Sequence, residues 1–228
     1  MSRFYLRLIV APLLLLTAVL LLIYTRHHDD HALRNLHDLL QFDGCPAPCF
    51  MGIRPGLTTE SEAISRLKAN TWVMDAGKVN PLPYMVTWSW KEDAPPYFER
   101  LPSGASFMLG NEIFSTKEIV SGINFSTTFT LGDVLRAQDV PSAAQLGYSN
   151  ANGASGSSTS LLVALDYQQA GFWATGIVTC PYSLNFWNAP VRFNISDNFI
   201  DTLFDTIMAS DRKTFIADIY RISRKTCS

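Results

Sequence analysis

Residues 84–90 read Tyr84-Met85-Val86-Thr87-Trp88-Ser89-Trp90, and this short run decides how the chain is read. Tyr84, Val86, Trp88 and Trp90 alternate with Met85, Thr87 and Ser89, the period-2 signature of a β-strand with one large-residue face. Pro81 and Pro83 mark the loop that leads into it. Downstream, strands are predicted near Ala105–Leu109 and Glu118–Phe125, then at Ser160–Tyr167, Phe172–Thr179, Val191–Ile195 and Phe199–Phe204.

Helices punctuate these strands. Upstream, Thr59 and Glu62 have the spacing of a capping box, in which each side chain satisfies a free backbone donor, and Ala63, Ile64 and Leu67 supply an apolar face. About seventy residues later Thr130-Leu131-Gly132-Asp133 repeats the cap-like start, with Pro141 closing a short helix. Residues 150–160, NANGASGSSTS, read as a flexible loop by composition. A last segment, Asp211–Arg224, places Phe215, Ile216, Ile219 and Ile222 at helical spacing.

The recurrence predicts an α+β fold of two tandem helix plus antiparallel-sheet units, 45–126 and 127–228. They follow a cytoplasmic stub and transmembrane anchor at 1–24 and a juxtamembrane stalk at 25–44. The anchor is read from Leu8–Tyr24, LIVAPLLLLTAVLLLIY, which at about 1.5 Å per residue falls just short of a bilayer core of roughly 30 Å. Arg3 and Arg7 precede it and Arg26 follows, so the positive-inside rule places the N-terminus in the cytoplasm and the rest outside. No A-x-A-type cleavage site ends the run, which favours retention at the membrane. Leu33, Leu36, Leu39 and Leu40 predict an amphipathic stalk helix, lying on the membrane or against the domain.

Composition narrows the function classes. Lys+Arg 18 against Asp+Glu 20 gives no global field for nucleic acid, while 47% hydrophobic and 12% aromatic residues suffice for a packed core. Cys45, Cys49, Cys180 and Cys227 are four cysteines in a chain read as exported, where disulfides persist. Three pairings are open; local closure of CPAPC with Cys180 meeting Cys227 is preferred, because it pins both ends of the exported part. His27, His28, His31 and His37 all lie in the stalk, where a hydrated surface is a simpler reading than a metal site. No metal or cofactor is expected.

The stretch CPAPCFMGIRPGLTTESEA resembles a group of uncharacterised bacterial exported proteins with a PC-aromatic-x-GI-x-PG-x-TT-x-x-EA signature, often with a later LGDV like Leu131–Val134. More distantly, G-x-T followed by a short helix and a meander is similar to the helix-helix-sheet unit of the SmpA/OmlA assembly lipoproteins, which occurs in tandem in the β-lactamase inhibitor protein. That resemblance implies a non-enzymatic, tandem protein-binding fold in the cell envelope, with helix faces or the concave sheet as contact surface. This chain departs from the lipoproteins in having no lipid-attachment cysteine. In such an exported bacterial chain the sequons Asn124-Phe125-Ser126 and Asn194-Ile195-Ser196 read as chance matches.

No catalytic residues stand out. Hydrolysis by Ser-His-Asp or Cys-His needs a base beside the nucleophile, and no histidine follows His37. GASGSS is not a nucleophile elbow, and the glycines form no phosphate-cradling motif. Tyr84, Trp88 and Trp90, with Trp173 on an equivalent strand of the second unit, are the binding candidates, as an aromatic surface for sugars, peptides or a partner. The competing role for the same rings is core packing beneath helices. The expectation is a membrane-anchored extracytoplasmic binding module, held by residues 8–24, that contacts an envelope protein. The alternatives are an accessory subunit of an envelope complex, or a carboxylate-dependent hydrolase of envelope polymers using pairs such as Glu60 and Glu62, Glu92 and Asp93, or Asp201 and Asp205.

Overall fold

A computed structural model describes residues 13–18, 30–40, 45–79, 82–100, 110–138, 140–153, 156–179, 185–196, 205–208 and parts of 214–221. Helices α1 (Asp30–Leu40), α2 (Glu60–Ala69) and α3 (Leu131–Ala137) lie among them, with further helical residues at 13–18 and within 214–221 and a 3-10 turn at Gln168–Ala170. The strands are β1 (Val73–Val79), β2 (Leu82–Trp90), β3 (Asn111–Thr116), β4 (Ile119–Thr130), β5 (Ala143–Gly153), β6 (Gly156–Tyr167), β7 (Phe172–Thr179), β8 (Pro190–Ser196) and β9 (Asp205–Met208).

The two expected tandem units are replaced by one continuous sheet. Its nine strands run in the order β1-β2-β3-β4-β8-β7-β6-β5-β9, every neighbouring pair antiparallel. The join is β4 against β8, which sets Ile123 opposite Ile195 and Phe125 opposite Phe193. Alternation in sequence reveals that a strand exists but not which strand it pairs with, and here matched large side chains join the chain's middle to its late part. The likeness to a tandem helix-and-sheet fold therefore does not extend to the architecture.

Nor do the described residues contain the transmembrane helix expected over 8–24. Among the described residues no helix is long and apolar enough to cross a membrane. Residues 13–18 are helical and their leucines, Leu13 to Leu16, are exposed; the rest of 8–24 lies outside the described residues.

One sheet face carries the core. Val86, Trp88, Trp90, Ile113, Ile123, Phe125, Phe193, Ala174, Leu165 and Ala144 share it, all buried, and Phe50 and Phe98 cover part of it. Phe50 stacks on Phe125 at 4.2 Å and Phe98 on Trp90 at 4.0 Å. Helix α2 buries Ala63 and Leu67, and α3 buries Leu131, Val134 and Leu135. Gly176 admits α3 to β7: a Cβ there would lie 3.0 Å from the Leu131 side chain. Helix α1 packs on α3 and buries Leu36 and Leu39, so of the two placements open to the stalk helix these leucines take the one against the domain.

The caps differ. At α3, Thr130 accepts from the Asp133 amide while Asp133 accepts from the Thr130 amide at 2.9 Å, a complete capping box. At α2, Thr59 accepts from the Glu62 amide, but the Glu62 carboxylate pairs with Arg66. The glycine- and serine-rich stretch read as a loop instead extends the β5–β6 hairpin, with Asn150 opposite Thr159 and Gly153 opposite Gly156. Backbone ladders need no particular side chain, so a polar composition did not preclude strands. Cys45 and Cys49 form a disulfide that closes CPAPC. Cys180, Cys227 and the strand expectations at 105–109 and 199–204 lie outside the described residues.

Candidate functional site

The aromatic candidates divide between the two faces. Trp88 and Trp90 are 5% and 6% exposed, packed edge to face with ring centroids 5.8 Å apart. They belong to the core. Tyr84 shares their face but stands half exposed, near the start of β2. Trp173 pairs across β7 with Asn194 of β8 and Asp166 of β6, which puts it on the opposite face, half-buried. The four therefore do not form one aromatic surface.

The opposite face is polar, and it follows from the same alternation. Once Val86 and Trp88 point to the core, Thr87 and its partners across the sheet must point away. That row runs Thr87, Glu112, Asn124, Asn194, Trp173, Asp166 over β2, β3, β4, β8, β7 and β6. The next row begins with Glu99, whose amide donates to the Ser126 carbonyl at 3.2 Å, and continues through Ser126, Arg192, Thr175, Ala164 and Gln145.

Arg192 links the rows. Its guanidinium donates to a carboxylate oxygen of Glu112 at 2.7 Å and to the Gly110 carbonyl at 3.0 Å. The Glu112 side chain is 3% exposed and that of Arg192 20%. Burial pushes the Glu112 carboxyl above its ordinary range; the charge and hydrogen bond of Arg192, together with Asn124, oppose that rise without cancelling it. The Asn124 amide lies close enough to Glu112 to favour its charged form, but no donor meets the remaining Glu112 oxygen, or the side-chain oxygens of Asn124 and Asn194, in good hydrogen-bond geometry. An orphaned buried polar atom costs about 1–3 kcal/mol; three acceptors stand in this row, and the indole nitrogens of Trp88 and Trp90 are unpartnered on the other face. Asn124 and Asn194, the two sequon asparagines, face each other across this ladder.

Beside Arg192 lies a groove of about 290 Å³ lined by Glu99, Ser126, Leu162, Thr175, Ile177, Pro190, Val191 and Arg192. Leu162 and Ile177 are cross-strand partners, and Ile177 is 55% exposed. The groove thus has an aliphatic wall and a polar wall. A wider hollow at Gln138, Val140, Ser142, Tyr167, Gln169 and Ala170 contains no charged side chain.

Acid-pair chemistry finds little support on this face. Burial raises the Asp166 carboxyl as well, but Asp166 and Glu112 are four strand steps apart, about 19 Å. Paired-carboxylate hydrolysis needs roughly 5–10 Å. Elsewhere, Glu60 is buried at the start of α2; it pairs with Lys78 of β1 and accepts from Ser115 of β3. Burial would raise its carboxyl, but the hydrogen bonds from Lys78 and Ser115 and the Lys78 charge prevail and hold it below the ordinary range. That cluster fastens α2 to the sheet. Glu62 is engaged with Arg66, and Asp201 lies outside the described residues.

Among the described residues no group of three or more His, Cys, Asp or Glu side chains could hold a metal; His37 is exposed on α1. Sequence reading singles out neither Glu112 nor Arg192, and takes Asn124 and Asn194 only as chance sequons. A signal existed: Asn124-Phe125-Ser126 and Arg192-Phe193-Asn194 each set a phenylalanine between polar residues, and the two phenylalanines are opposite each other. No family model, curated protein or solved structure matches the chain.

Proposed function

We propose that the protein is a non-catalytic binding module acting outside the cytoplasm, attached to the membrane through the apolar segment at 8–24, with its ligand surface on the polar face of the sheet. The observation that carries this reading is the row of unpartnered acceptors on Glu112, Asn124 and Asn194 beside the Arg192 groove. Natural folds rarely keep such atoms without a use for them. The Cys45–Cys49 disulfide supports an oxidising compartment.

The test is a photo-crosslinking residue placed at Ile177 and, separately, at Tyr84 in the full chain in its own membranes. One discrete adduct from position 177 and none from 84 is the expected result. Adducts from 84 alone, or from neither site, would move the contact surface off the polar face.

A further inference from the structure

We propose that the groove beside Arg192 receives a basic segment of a partner protein, with a lysine or arginine side chain reaching Glu99 and a neighbouring aliphatic residue packing on Leu162 and Ile177. This rests on the binding-module reading and adds the class of ligand.

Charge points this way. Glu99 lines the groove, and among the described residues no cation pairs with it. Arg192, the groove's own cation, is committed to Glu112 and to the Gly110 carbonyl. Glu99, Glu112 and Arg192 therefore sum to a net negative site. The Thr175 hydroxyl donates to the Arg192 carbonyl at 3.1 Å, which leaves its lone pairs to accept. An anionic ligand would meet Glu99 with no uncommitted cation to offset it. A neutral polyol would leave the Glu99 charge uncompensated. A cationic side chain satisfies it, and the exposed Ile177 beside Leu162 gives the adjoining aliphatic residue apolar area to cover.

The experiment measures fluorescence anisotropy of two labelled peptides, Leu-Lys-Leu-Lys and Leu-Glu-Leu-Glu, with the full chain in a neutral detergent. A neutral N-acetylglucosamine trisaccharide is the competitor. Expected is saturable binding of the lysine peptide that weakens as salt rises. Glu99→Gln should weaken it on the order of tenfold, as for loss of one hydrogen bond to a charged group, and Ile177→Ala should weaken it to a lesser degree. Both substitutions are outside the core, so unchanged unfolding midpoints separate lost contacts from lost fold. Equal binding of the glutamate peptide, or no effect of Glu99→Gln, overturns the proposal. Displacement by the trisaccharide overturns the ligand class and leaves the binding module standing. Absence of all binding, with no adduct from position 177, overturns both.

Discussion

The two faces of this sheet are written by the same strands, one residue out of step, and they do opposite things. Phe125 is fully buried between Phe50 and Phe193, while its neighbours Asn124 and Ser126 face the polar side. The aromatic face spends its large residues on burial and helix packing. Its counterpart holds the Glu112–Arg192 ion pair and the row of polar side chains beside it. The richest run of tryptophan thus marks the core, and the less conspicuous residues between the aromatics mark the candidate site.

The comparison can be broken first at Phe125. Phe125→Ala should cost about 3–5 kcal/mol, because two stacked partners lose their neighbour and leave a cavity; a urea titration reads this. Arg192→Ala comes next, at about 3 kcal/mol, since it strands the Glu112 carboxylate without its cation. Replacing both, Arg192→Met with Glu112→Leu, should recover most of that loss. If the double variant is no better than the single, the stranded Glu112 carboxylate is not the source of the loss.

The two buried glutamates sharpen the contrast through pH. Glu112 titrates higher folded than unfolded, so the fold holds its proton more tightly, and stability should fall as pH rises from the ordinary carboxylate value through the raised one. Glu112→Gln should remove that slope. Glu60 is lowered, so its contribution is present above the ordinary value and is lost as pH falls through the folded one; Glu60→Gln should flatten the acid limb instead. The smallest effect belongs to the caps. Thr130→Ala, which dismantles a reciprocal box, should cost about 1 kcal/mol, and Thr59→Ala, with only half a box, less.

Local signals were legible in the sequence where one residue type sufficed. The alternation at 84–90, at Phe172–Thr179 and at Val191–Ile195 marks β2, β7 and β8, and Thr130 with Asp133 marks the start of α3. Partner choice was not legible. Nothing in Val191–Ile195 alone says that it inserts between β4 and β7, because pairing depends on contacts some seventy residues apart. The candidate site was hidden for the same reason. Glu112, Asn124 and Asn194 are unremarkable singly and become a row only once the register is set. Trp173 was grouped with Trp88 by residue type, whereas register parity sends it to the other face.

The most direct test compares a conservative change on each face against the same ligand. Binding of the lysine peptide should be unaltered in a folded Trp88→Phe, Trp90→Phe variant, even if its unfolding midpoint drops, and should be lost in Ile177→Asp with its midpoint intact. Loss of binding in the tryptophan variant, with Ile177→Asp binding normally, would return the function to the aromatic strand and contradict the division of labour between the faces.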